Sequence, residues 1–245
     1  MRKLLKSLLP SIVTEFLYKL IQKKRAITPI RKRTCNICNH RGWFTGTGRP
    51  YRLDACCPNC KSLERHRLIY SVMENGSISE FKNENAKILH FAPEQIIEKK
   101  LKVRYKNYVT ADLFYKADIK LNIESIALPD DQYDIVIANH VLEHVDDRLA
   151  ISEINRILKV GGIFVCMVPM VSGWKSTYER ADIVTDLDRL LHFGQADHLR
   201  LYGDDFVVRV NAFGLSPAAE FVAEGEAVID NGLLRGEKVF VFRKS

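Results

Sequence analysis

Between residues 133 and 169 the spacing of apolar residues changes from a continuous run to a helical repeat and back again. The apolar run 135–138 ends in the polar pair Asn139-His140. Asp146 and Asp147 follow, and aspartate commonly begins helices. Apolar residues then recur at the spacing of one helix face: Ala150, Ile151, Ile154, Ile157 and Leu158. This pattern predicts a strand followed by an amphipathic helix.

A second strand is predicted to complete the same unit. Lys159 falls in the expected last turn of the helix, and Gly161 can adopt the positive φ of a turn. The apolar run 163–168 follows directly. Strands that are apolar on both faces are typical of parallel sheets covered by helices. The predicted fold class is therefore α/β, with a doubly wound sheet.

Further strands are predicted at residues 87–91, 108–112 and 236–242, and a helix at 62–74 with Ser62 as its cap. With 245 residues, of which 47% are hydrophobic, the chain can build one sizeable core and a small appendage. No apolar stretch reaches membrane-spanning length. Charged residues and a proline interrupt the first 20 residues, and no small-residue cleavage site follows, which argues against a signal peptide. We therefore expect a cytoplasmic protein.

Residues 1–25 carry apolar pairs at every fourth position, from Leu4-Leu5 to Leu20-Ile21, with Lys and Arg at both ends. Two interpretations remain open for this segment. It is either an amphipathic helix lying on an anionic membrane surface, at the inner face of the membrane, or a helix packed on protein with solvated basic ends.

The net charge of +7 is unevenly distributed along the chain. Residues 1–33 carry +9, residues 34–70 carry +4 and the remaining 175 residues carry −6. An anionic partner is therefore expected to meet the amino-terminal part of the chain.

Four of the six cysteines form two CxxC pairs with eighteen residues between them: Cys35, Cys38, Cys57 and Cys60. A two-residue gap lets both sulfurs of a turn face one ion, so the pattern predicts a Zn²⁺ site in a small ribbon. Four protein ligands leave no open position for a substrate, which indicates a structural role. His40 and Cys56 are neighbouring alternative ligands, but they break the symmetrical spacing. The predicted domains are residues 1–33 (basic helix and linker), 34–75 (zinc ribbon and linking helix) and 86–245 (the sheet).

The central unit resembles class I S-adenosylmethionine (SAM)-dependent methyltransferases, in particular those called methyltransferase type 11. In that family a Leu-Pro pair and an aromatic-Asp pair precede a strand, which is followed by HVLEHV and a helix ending in LKPGG. The corresponding residues here are Leu128-Pro129, Tyr133-Asp134, 140–145 and 158–162. The resemblance implies a Rossmann-like sheet with an antiparallel last strand, SAM as the cofactor, and methyl transfer as the activity.

Residues 87–94 occupy the place of the family's first motif, which is usually a strand running into a glycine-rich loop, but they contain no glycine. The resemblance assigns five of them to the cofactor: His90, Phe91, Ala92, Pro93 and Glu94. Ala92 is the smallest replacement for glycine, and Pro93 suits the first helical position. Glu94 is then expected at the positive end of the helix, where it can accept hydrogen bonds from the SAM amino group. His90 is either a ligand or a satisfied buried histidine.

The resemblance places further cofactor contacts at the next strand. Asp112 ends the strand 108–112, where this fold presents a carboxylate to the ribose hydroxyls, and Leu113 lies beside it. Asn122 and Ile123 match the family's polar–apolar pair at the adenine. Asp118-Ile119 offers a rival register for that pair.

The polar pair after the central strand is expected to face the reacting groups. Asn139 is assigned to the cofactor. Transfer to a hydroxyl also needs a group that removes its proton, and imidazole titrates near working pH. The candidates, in order of preference, are His140, His198 and His144, because His140 directly follows the strand end where the site should open.

Three segments resemble a bacterial subgroup that joins a cysteine ribbon to this fold: SLERHR (62–67), HFAPE (90–94) and HFGQADHLRLYG (192–203). Members of that subgroup are similar to methyltransferases of surface-polysaccharide pathways, which implies a hydroxyl of a glycan or small molecule as the acceptor. Segment 192–203 is expected either to bind substrate or to form a hydrogen-bonded structural loop. Two alternative functions remain: an RNA methyltransferase whose ribbon and basic end hold phosphates, and a non-catalytic SAM-fold binding module.

Overall fold

The computed structural model describes residue 13, residues 30–48 and residues 50–245. The predicted amphipathic helix at 1–25, apart from residue 13, and with it the predicted membrane contact, lies outside the described residues. Among the helices that are described, none has the length and apolar character needed to cross a bilayer.

Four short strands form an amino-terminal ribbon. β1 (Lys32–Thr34) pairs antiparallel with β2 (Arg41–Trp43), and β3 (Thr45–Thr47) pairs antiparallel with β4 (Arg52–Cys56). Helix α1 (Glu64–Glu74) follows the ribbon.

The predicted Ser62 cap of α1 is wrong by one residue. The N-cap is Leu63, whose backbone N–H donates to Nδ1 of His66. The Ser62 hydroxyl lies instead 3.4 Å from the Cys35 sulfur and 3.2 Å from the Cys60 sulfur. The hydroxyl is thus part of the surroundings of the cysteine cluster.

The remaining strands, in chain order, are β5 (Ile88–Phe91), β6 (Tyr108–Asp112), β7 (Ile119–Lys120), β8 (Tyr133–Asn139), β9 (Leu158–Met167), β10 (Tyr178–Glu179), β11 (Arg200–Leu201), β12 (Leu215–Val222) and β13 (Lys238–Lys244). β10 and β11 pair with each other, and the other seven form one sheet in the order β12-β13-β9-β8-β5-β6-β7. The pairs within β9-β8-β5-β6-β7 are parallel, whereas β13 is antiparallel to both β9 and β12. The predicted antiparallel last strand is therefore confirmed.

The helices that follow α1 are α2 (Gln95–Arg104), α3 (Asp147–Ile157), α4 (Asp186–Phe193), α5 (Phe206–Asn211) and α6 (Gly225–Asn231). As predicted, α3 begins after Asp146, whose carboxylate accepts from the Arg148 N–H. Lys159, however, is not in the last turn of α3. The backbone is already extended at Leu158, where β9 begins by pairing with Tyr133 of β8.

The parallel strands alternate their side chains between two apolar layers, as the doubly wound prediction requires. Ile135 and Ile137 of β8 face the layer that contains α1 and α2, whereas Val136 and Ala138 face the layer that contains α3 and α5. The first layer also includes ribbon side chains, among them Phe44. The ribbon and the sheet are therefore packed on one continuous apolar core.

The side chain of Arg67 in α1 joins the ribbon to the connection between β12 and β13. It is completely buried, and its guanidinium lies 4.8 Å above the Phe44 ring. The guanidinium donates to four carbonyl oxygens, those of Ser62, Ala55, Asn231 and Gly232, at 2.6–3.0 Å. Because two of these carbonyls precede α1 and two lie at the end of α6, one side chain fixes the two segments together.

We expect Arg67→Met to lower the free energy of unfolding by at least about 3 kcal/mol, because it leaves four buried carbonyl groups without their charged donor. Urea unfolding of the variant and the wild type measures this difference. Arg65→Met, two residues away in the same helix, is the matched control and should change stability by less than about 1 kcal/mol. Equal losses in the two variants would contradict the bridging role of Arg67.

Candidate active site

The register of the parallel strands brings three predicted cofactor residues to the same edge of the sheet. Phe91 of β5 pairs with Ala111 of β6 on one side and with Ala138 of β8 on the other. The residues that follow these three, namely Ala92, Asp112 and Asn139, therefore leave their strands side by side. In open α/β sheets this carboxyl edge is where ligands bind.

Ala92 adopts the backbone conformation that a glycine would favour. Its φ is +46°, which costs an L-residue roughly 1–2 kcal/mol, and its N–H donates to the carbonyl of Ala111. The glycine-free motif therefore keeps a left-handed turn after β5. Ala92 itself is exposed, so its backbone is accessible to a ligand.

Glu94 occupies the N-cap position of α2 but does not cap the helix with its side chain. The predicted place of Pro93 inside the helix is also wrong, because α2 begins at Gln95. Glu94 Oε2 lies 3.2 Å from Nε2 of His90, whose Nδ1 is 2.8 Å from the Tyr108 hydroxyl. His90 is completely buried. Its Nδ1 is thus paired, whereas the contact of Nε2 with Glu94 is close but not aligned as a hydrogen bond.

The pKa of Glu94 is lowered to about 2. Burial alone would raise it, but the contact with His90 and the nearby charge of His66 outweigh burial. Oε2 accepts no hydrogen bond from any described residue. An ionised carboxylate with a free oxygen at this edge is suited to an ammonium group.

Asp112 lies at the end of β6, as predicted, and is 9% exposed. Its Oδ1 accepts from the backbone N–H groups of Phe114 and Tyr115, both at 2.7 Å. This turn fixes the carboxylate and leaves Oδ2 available for a hydroxyl. Leu113 is part of the same turn.

The structure also bears on the two registers proposed for the adenine pair. The Asp118 carboxylate accepts from both the N–H and the hydroxyl of Thr110, which holds β7 against β6. The Asp118 carboxylate is therefore already hydrogen-bonded within the sheet. Ile123 is buried, the Oδ1 of Asn122 accepts from the Glu124 N–H, and the Asn122 amide nitrogen donates to none of the described residues. This arrangement favours the register with Asn122 and Ile123.

Asn139, at the end of β8, is only 4% exposed, yet neither its amide oxygen nor its amide nitrogen has a hydrogen-bond partner among the described residues. Buried amide groups are nearly always paired, because an unpaired one costs several kcal/mol. Its neighbour His140 has a left-handed backbone with a φ of +53°. Such strain at a strand end is common at functional sites.

The three histidines that were proposed as bases lie around one residue that the sequence analysis did not single out. Nδ1 of His140 is 3.3 Å from Oε1 of the completely buried Glu143. His144 and His198 form an edge-to-face pair with ring centroids 4.7 Å apart, next to the same carboxylate. The HVLEHV motif could have indicated Glu143 as a site residue, because it places Glu143 three residues after His140 and directly before His144.

Two further titratable side chains reach this region from outside the sheet. His66 of α1 is buried with Nε2 unpartnered among the described residues, and burial lowers its pKa to about 4 although Glu94 opposes the shift. Burial raises the pKa of Glu237 to about 7; His140 opposes this shift and Glu64 adds to it. The density of charge in the SLERHR segment was a weak indication that His66 belongs to a functional site. No sequence pattern indicated a role for Glu237. Both are placed by the packing of the ribbon and of the β12–β13 connection.

Segment 192–203 divides into an exposed and a buried part. His192 is exposed and bonds to the Tyr178 hydroxyl, whereas Tyr202 donates to the buried Asp147 carboxylate at 2.9 Å. Arg200 donates to the carbonyls of Leu142 and Val145. A cavity of about 600 Å³ adjoins this part, and five arginines line it: Arg148, Arg180, Arg189, Arg200 and Arg209. The segment thus contains a hydrogen-bonded structural part and also borders a cavity.

The four CxxC cysteines come together in the ribbon. Cys35 and Cys60 sulfurs are 3.6 Å apart, Cys38 and Cys57 sulfurs 3.7 Å apart, and all four lie within 4.8 Å of one another. Sulfurs held about 2.3 Å from a tetrahedral ion are separated by about 3.8 Å. The six described cysteines form no disulfide, and neither His40 nor Cys56 belongs to the group. The donor set and its spacing are compatible with Zn²⁺.

Both CxxC turns have the same backbone geometry. Asn39 N–H donates to Cys35 O, and Lys61 N–H donates to Cys57 O. Asn39 and Lys61 both have positive φ, 58° and 61°. Two loops with this matched conformation present their sulfurs to a common centre.

Comparisons with known proteins agree with this geometry. Residues 83–166, about a third of the chain, match a family model described as a methyltransferase domain. A Burkholderia thailandensis 1,6-didemethyltoxoflavin-N1-methyltransferase, solved with 1,6-didemethyltoxoflavin and S-adenosylhomocysteine, is similar over 74% of this chain and 83% of its own, with 12% identity and a TM-score of 0.50. The PH0226 protein from Pyrococcus horikoshii OT3 is similar over 74% of this chain and 90% of its own, with 14% identity and a TM-score of 0.50. No curated protein matches the sequence. At these identities the structural likeness establishes the Rossmann-like methyltransferase fold.

The raised pKa of Glu237 predicts a pH-dependent stability. In the unfolded chain Glu237 ionises near its ordinary pKa of 4.5, but in the folded protein it keeps its proton up to about pH 7. The folded state binds more protons between these values, so the contribution of Glu237 to stability falls as the pH rises from 4.5 through 7. Glu237→Gln removes this penalty. It should raise the free energy of unfolding by about 1 to 3 kcal/mol at pH 8 and leave it nearly unchanged at pH 4.5.

Urea unfolding at the two pH values measures the effect. Glu224→Gln, which changes an exposed glutamate of the same connection, is the control and should show no such pH dependence. A gain from Glu237→Gln that is equal at both pH values would show that folding does not raise the pKa of Glu237.

Proposed function

We propose that this protein is a SAM-dependent methyltransferase that methylates a hydroxyl group of a glycan or small molecule in the synthesis of a cell-surface polysaccharide. The observation that carries the proposal is the buried, unpartnered amide of Asn139, at the carboxyl edge of a methyltransferase-type sheet. The matched family model and the S-adenosylhomocysteine in the Burkholderia relative support SAM as the ligand that this amide lacks.

The residues at that edge suit the separate parts of SAM. Asp112 offers its free Oδ2 to the ribose hydroxyls, and Asn122 with Ile123 would hold the adenine. The amino-acid portion would lie against Glu94 and Asn139. The exposed left-handed turn at Ala92, between Phe91 and Pro93, lets backbone approach this portion closely.

SAM supplies a methyl group that is already activated by its sulfonium, so the protein mainly has to hold donor and acceptor in line. His90 positions Glu94 through its contact at 3.2 Å. His140 is the proposed base, because it follows Asn139 directly and its Nε2 has no hydrogen-bond partner in the described chain. The Glu143 carboxylate lies 3.3 Å from Nδ1 on the other side of the ring. The ring of His198 and the half-exposed ring of His144 lie behind it, around the same carboxylate.

The arginine-lined cavity supports an anionic acceptor, such as a sugar carried on a diphosphate. Arg189 has an Nε atom that is buried and unpartnered among the described residues. The other four arginines each pair with a carboxylate, and Arg148, which pairs with Asp146, is 66% exposed. A guanidinium binds phosphate through paired hydrogen bonds. In the proposal, residues 1–25 would hold the enzyme on an anionic membrane where lipid-linked glycans are made.

We further propose that the four-cysteine cluster holds a structural Zn²⁺. Full-length protein prepared without chelator should contain one zinc that survives dialysis against EDTA, measured by elemental analysis. Cys38→Ser should lose that zinc, whereas Cys56→Ser, which changes a neighbouring cysteine outside the cluster, should keep it. Retention of the zinc by Cys38→Ser would place the ion elsewhere.

The proposed activity is tested by transfer of a labelled methyl group from SAM to lipid-linked glycans, nucleotide sugars and total RNA, assayed in parallel. We expect labelling of the first or second class. Labelling of RNA alone would favour the RNA methyltransferase, and SAM binding without labelling of any class would favour the non-catalytic module.

Asp112→Ala should weaken SAM binding more than tenfold in calorimetry, because the ribose loses a carboxylate acceptor. Its circular dichroism spectrum should remain that of the wild type. Asp182→Ala, which removes an exposed carboxylate paired with Arg180, serves as the matched control. Unchanged affinity in Asp112→Ala would assign the ribose to another residue.

A further inference from the structure

The carboxylate of Glu143 is buried without a hydrogen-bond partner. Its side chain is 1% exposed, and neither oxygen accepts a hydrogen bond from the described part of the chain. The contact with Nδ1 of His140 at 3.3 Å is close but not aligned as a hydrogen bond. An ionised carboxylate buried in this way is expected to have a cationic or hydrogen-bonding partner, because its desolvation costs several kcal/mol.

Two imidazoles converge on this carboxylate. One nitrogen each of His144 and His198 and one oxygen of Glu143 all lie within 4.8 Å of one another. Ligands of one tetrahedral Zn²⁺, at about 2.0–2.2 Å from the ion, are separated by about 3.4 Å. Side-chain adjustments of about 1 Å therefore bring the three groups to the spacing of a single ion.

The second nitrogen of His144 is already engaged in the manner of metal-bound histidines. His144 Nδ1 lies 3.2 Å from Oδ2 of Asp197 and 3.3 Å from the Asp197 carbonyl oxygen. Histidine ligands usually donate their other N–H to a carboxylate or carbonyl, which fixes the tautomer and orients the ring. The contact leaves Nε2 of His144 as the available ligand atom. His198 is 4% exposed, and its Nδ1 is buried without a described partner.

Backbone contacts hold the two segments that supply these side chains. The Leu199 N–H donates to the Glu143 carbonyl at 2.8 Å. The guanidinium of Arg200 donates to the carbonyls of Leu142 and Val145 at 2.8 and 2.6 Å. The turn that carries Glu143 and His144 is thus fixed against the segment that carries His198, although more than 50 residues separate them.

We propose that Glu143, His144 and His198 form a second metal site, which binds a divalent transition ion, Zn²⁺ in the first place. Imidazole and carboxylate ligands suit Zn²⁺. Two histidines and one carboxylate also leave at least one coordination position open, unlike the four-cysteine cluster. The site lies beside His140, at the carboxyl end of β8.

The catalytic role of the ion rests on the proposed methyltransferase function. The binding of the ion to these three side chains does not depend on that function. The ion would lower the pKa of an acceptor hydroxyl bound through its oxygen, as zinc does for water. Nε2 of His140 would accept the hydroxyl proton. The oxygen would then bond to the methyl carbon while the carbon–sulfur bond breaks, and the electron pair of that bond would stay on sulfur in neutral S-adenosylhomocysteine.

Metal binding to the full-length protein tests the site directly. After dialysis against EDTA, which leaves the zinc of the cysteine cluster in place, Co²⁺ is added and followed by visible absorption and calorimetry. We expect one further equivalent, with d–d bands but without the thiolate charge-transfer band that a cysteine site gives. Zn²⁺ should displace it.

Variants locate the bound ion. His144→Ala changes a half-exposed residue, so the fold should survive, and Co²⁺ affinity should fall at least tenfold. Asp197→Ala should weaken binding about ten- to hundredfold, as loss of a ligand's outer partner typically does. His192→Ala, an exposed histidine outside the cluster, is the control and should bind like the wild type. Wild-type protein that takes up no further Co²⁺ at 1 mM, or a His144→Ala variant that binds it normally, would overturn the site.

The failure of this proposal is distinguishable from that of the proposed function. SAM affinity, measured on the same samples, should be unchanged in His144→Ala. If the extra ion binds but no acceptor class is methylated, the site stands and the proposed function fails. If methyl transfer proceeds at the same rate after EDTA treatment, the catalytic role of the ion is wrong.

Discussion

The parallel register of three central strands is the constraint on which the candidate site depends. Because β5 pairs in step with both β6 and β8, residues 92, 112 and 139 end their strands at the same level. No local propensity could bring together groups that are 20 to 47 residues apart in the chain. The register is itself fixed by burial on both faces, since a slip of one residue would exchange the two apolar layers.

The ribbon is not an independent appendage of this sheet. Its apolar side chains join the layer beneath α1 and α2, and the Arg67 guanidinium connects α1 to the end of α6. The same docking brings His66 close enough to Glu94 for each to affect the pKa of the other. Zinc in the ribbon would therefore act on the site through the position of α1.

Some buried polar groups of the site have hydrogen-bond partners within the protein, and others do not. We assign the first kind to positioning the scaffold and the second kind to binding a ligand. His90 Nδ1 lies 2.8 Å from the Tyr108 hydroxyl, and the Asp147 carboxylate accepts from Tyr202 and Arg209. These groups hold the scaffold. Asn139, Glu143 and His198 are equally buried but have unpartnered atoms among the described residues. Such atoms cost stability in the free protein, which is expected where a ligand supplies the missing partner.

The sequence by itself determined the elements and the fold class, because the period of apolar residues follows directly from which faces are buried. It also located Asp112 and Asn139 at strand ends and grouped the four cysteines by their spacing. Residue patterns failed at local boundaries, at Ser62, Pro93 and Lys159, where pairing with a distant strand or contact with a cluster outweighs a weak local preference. Only the tertiary structure brought Glu143 and Glu237 to the site. Their placement depends on the packing of segments remote in sequence, and neither periodicity nor residue type encodes that packing.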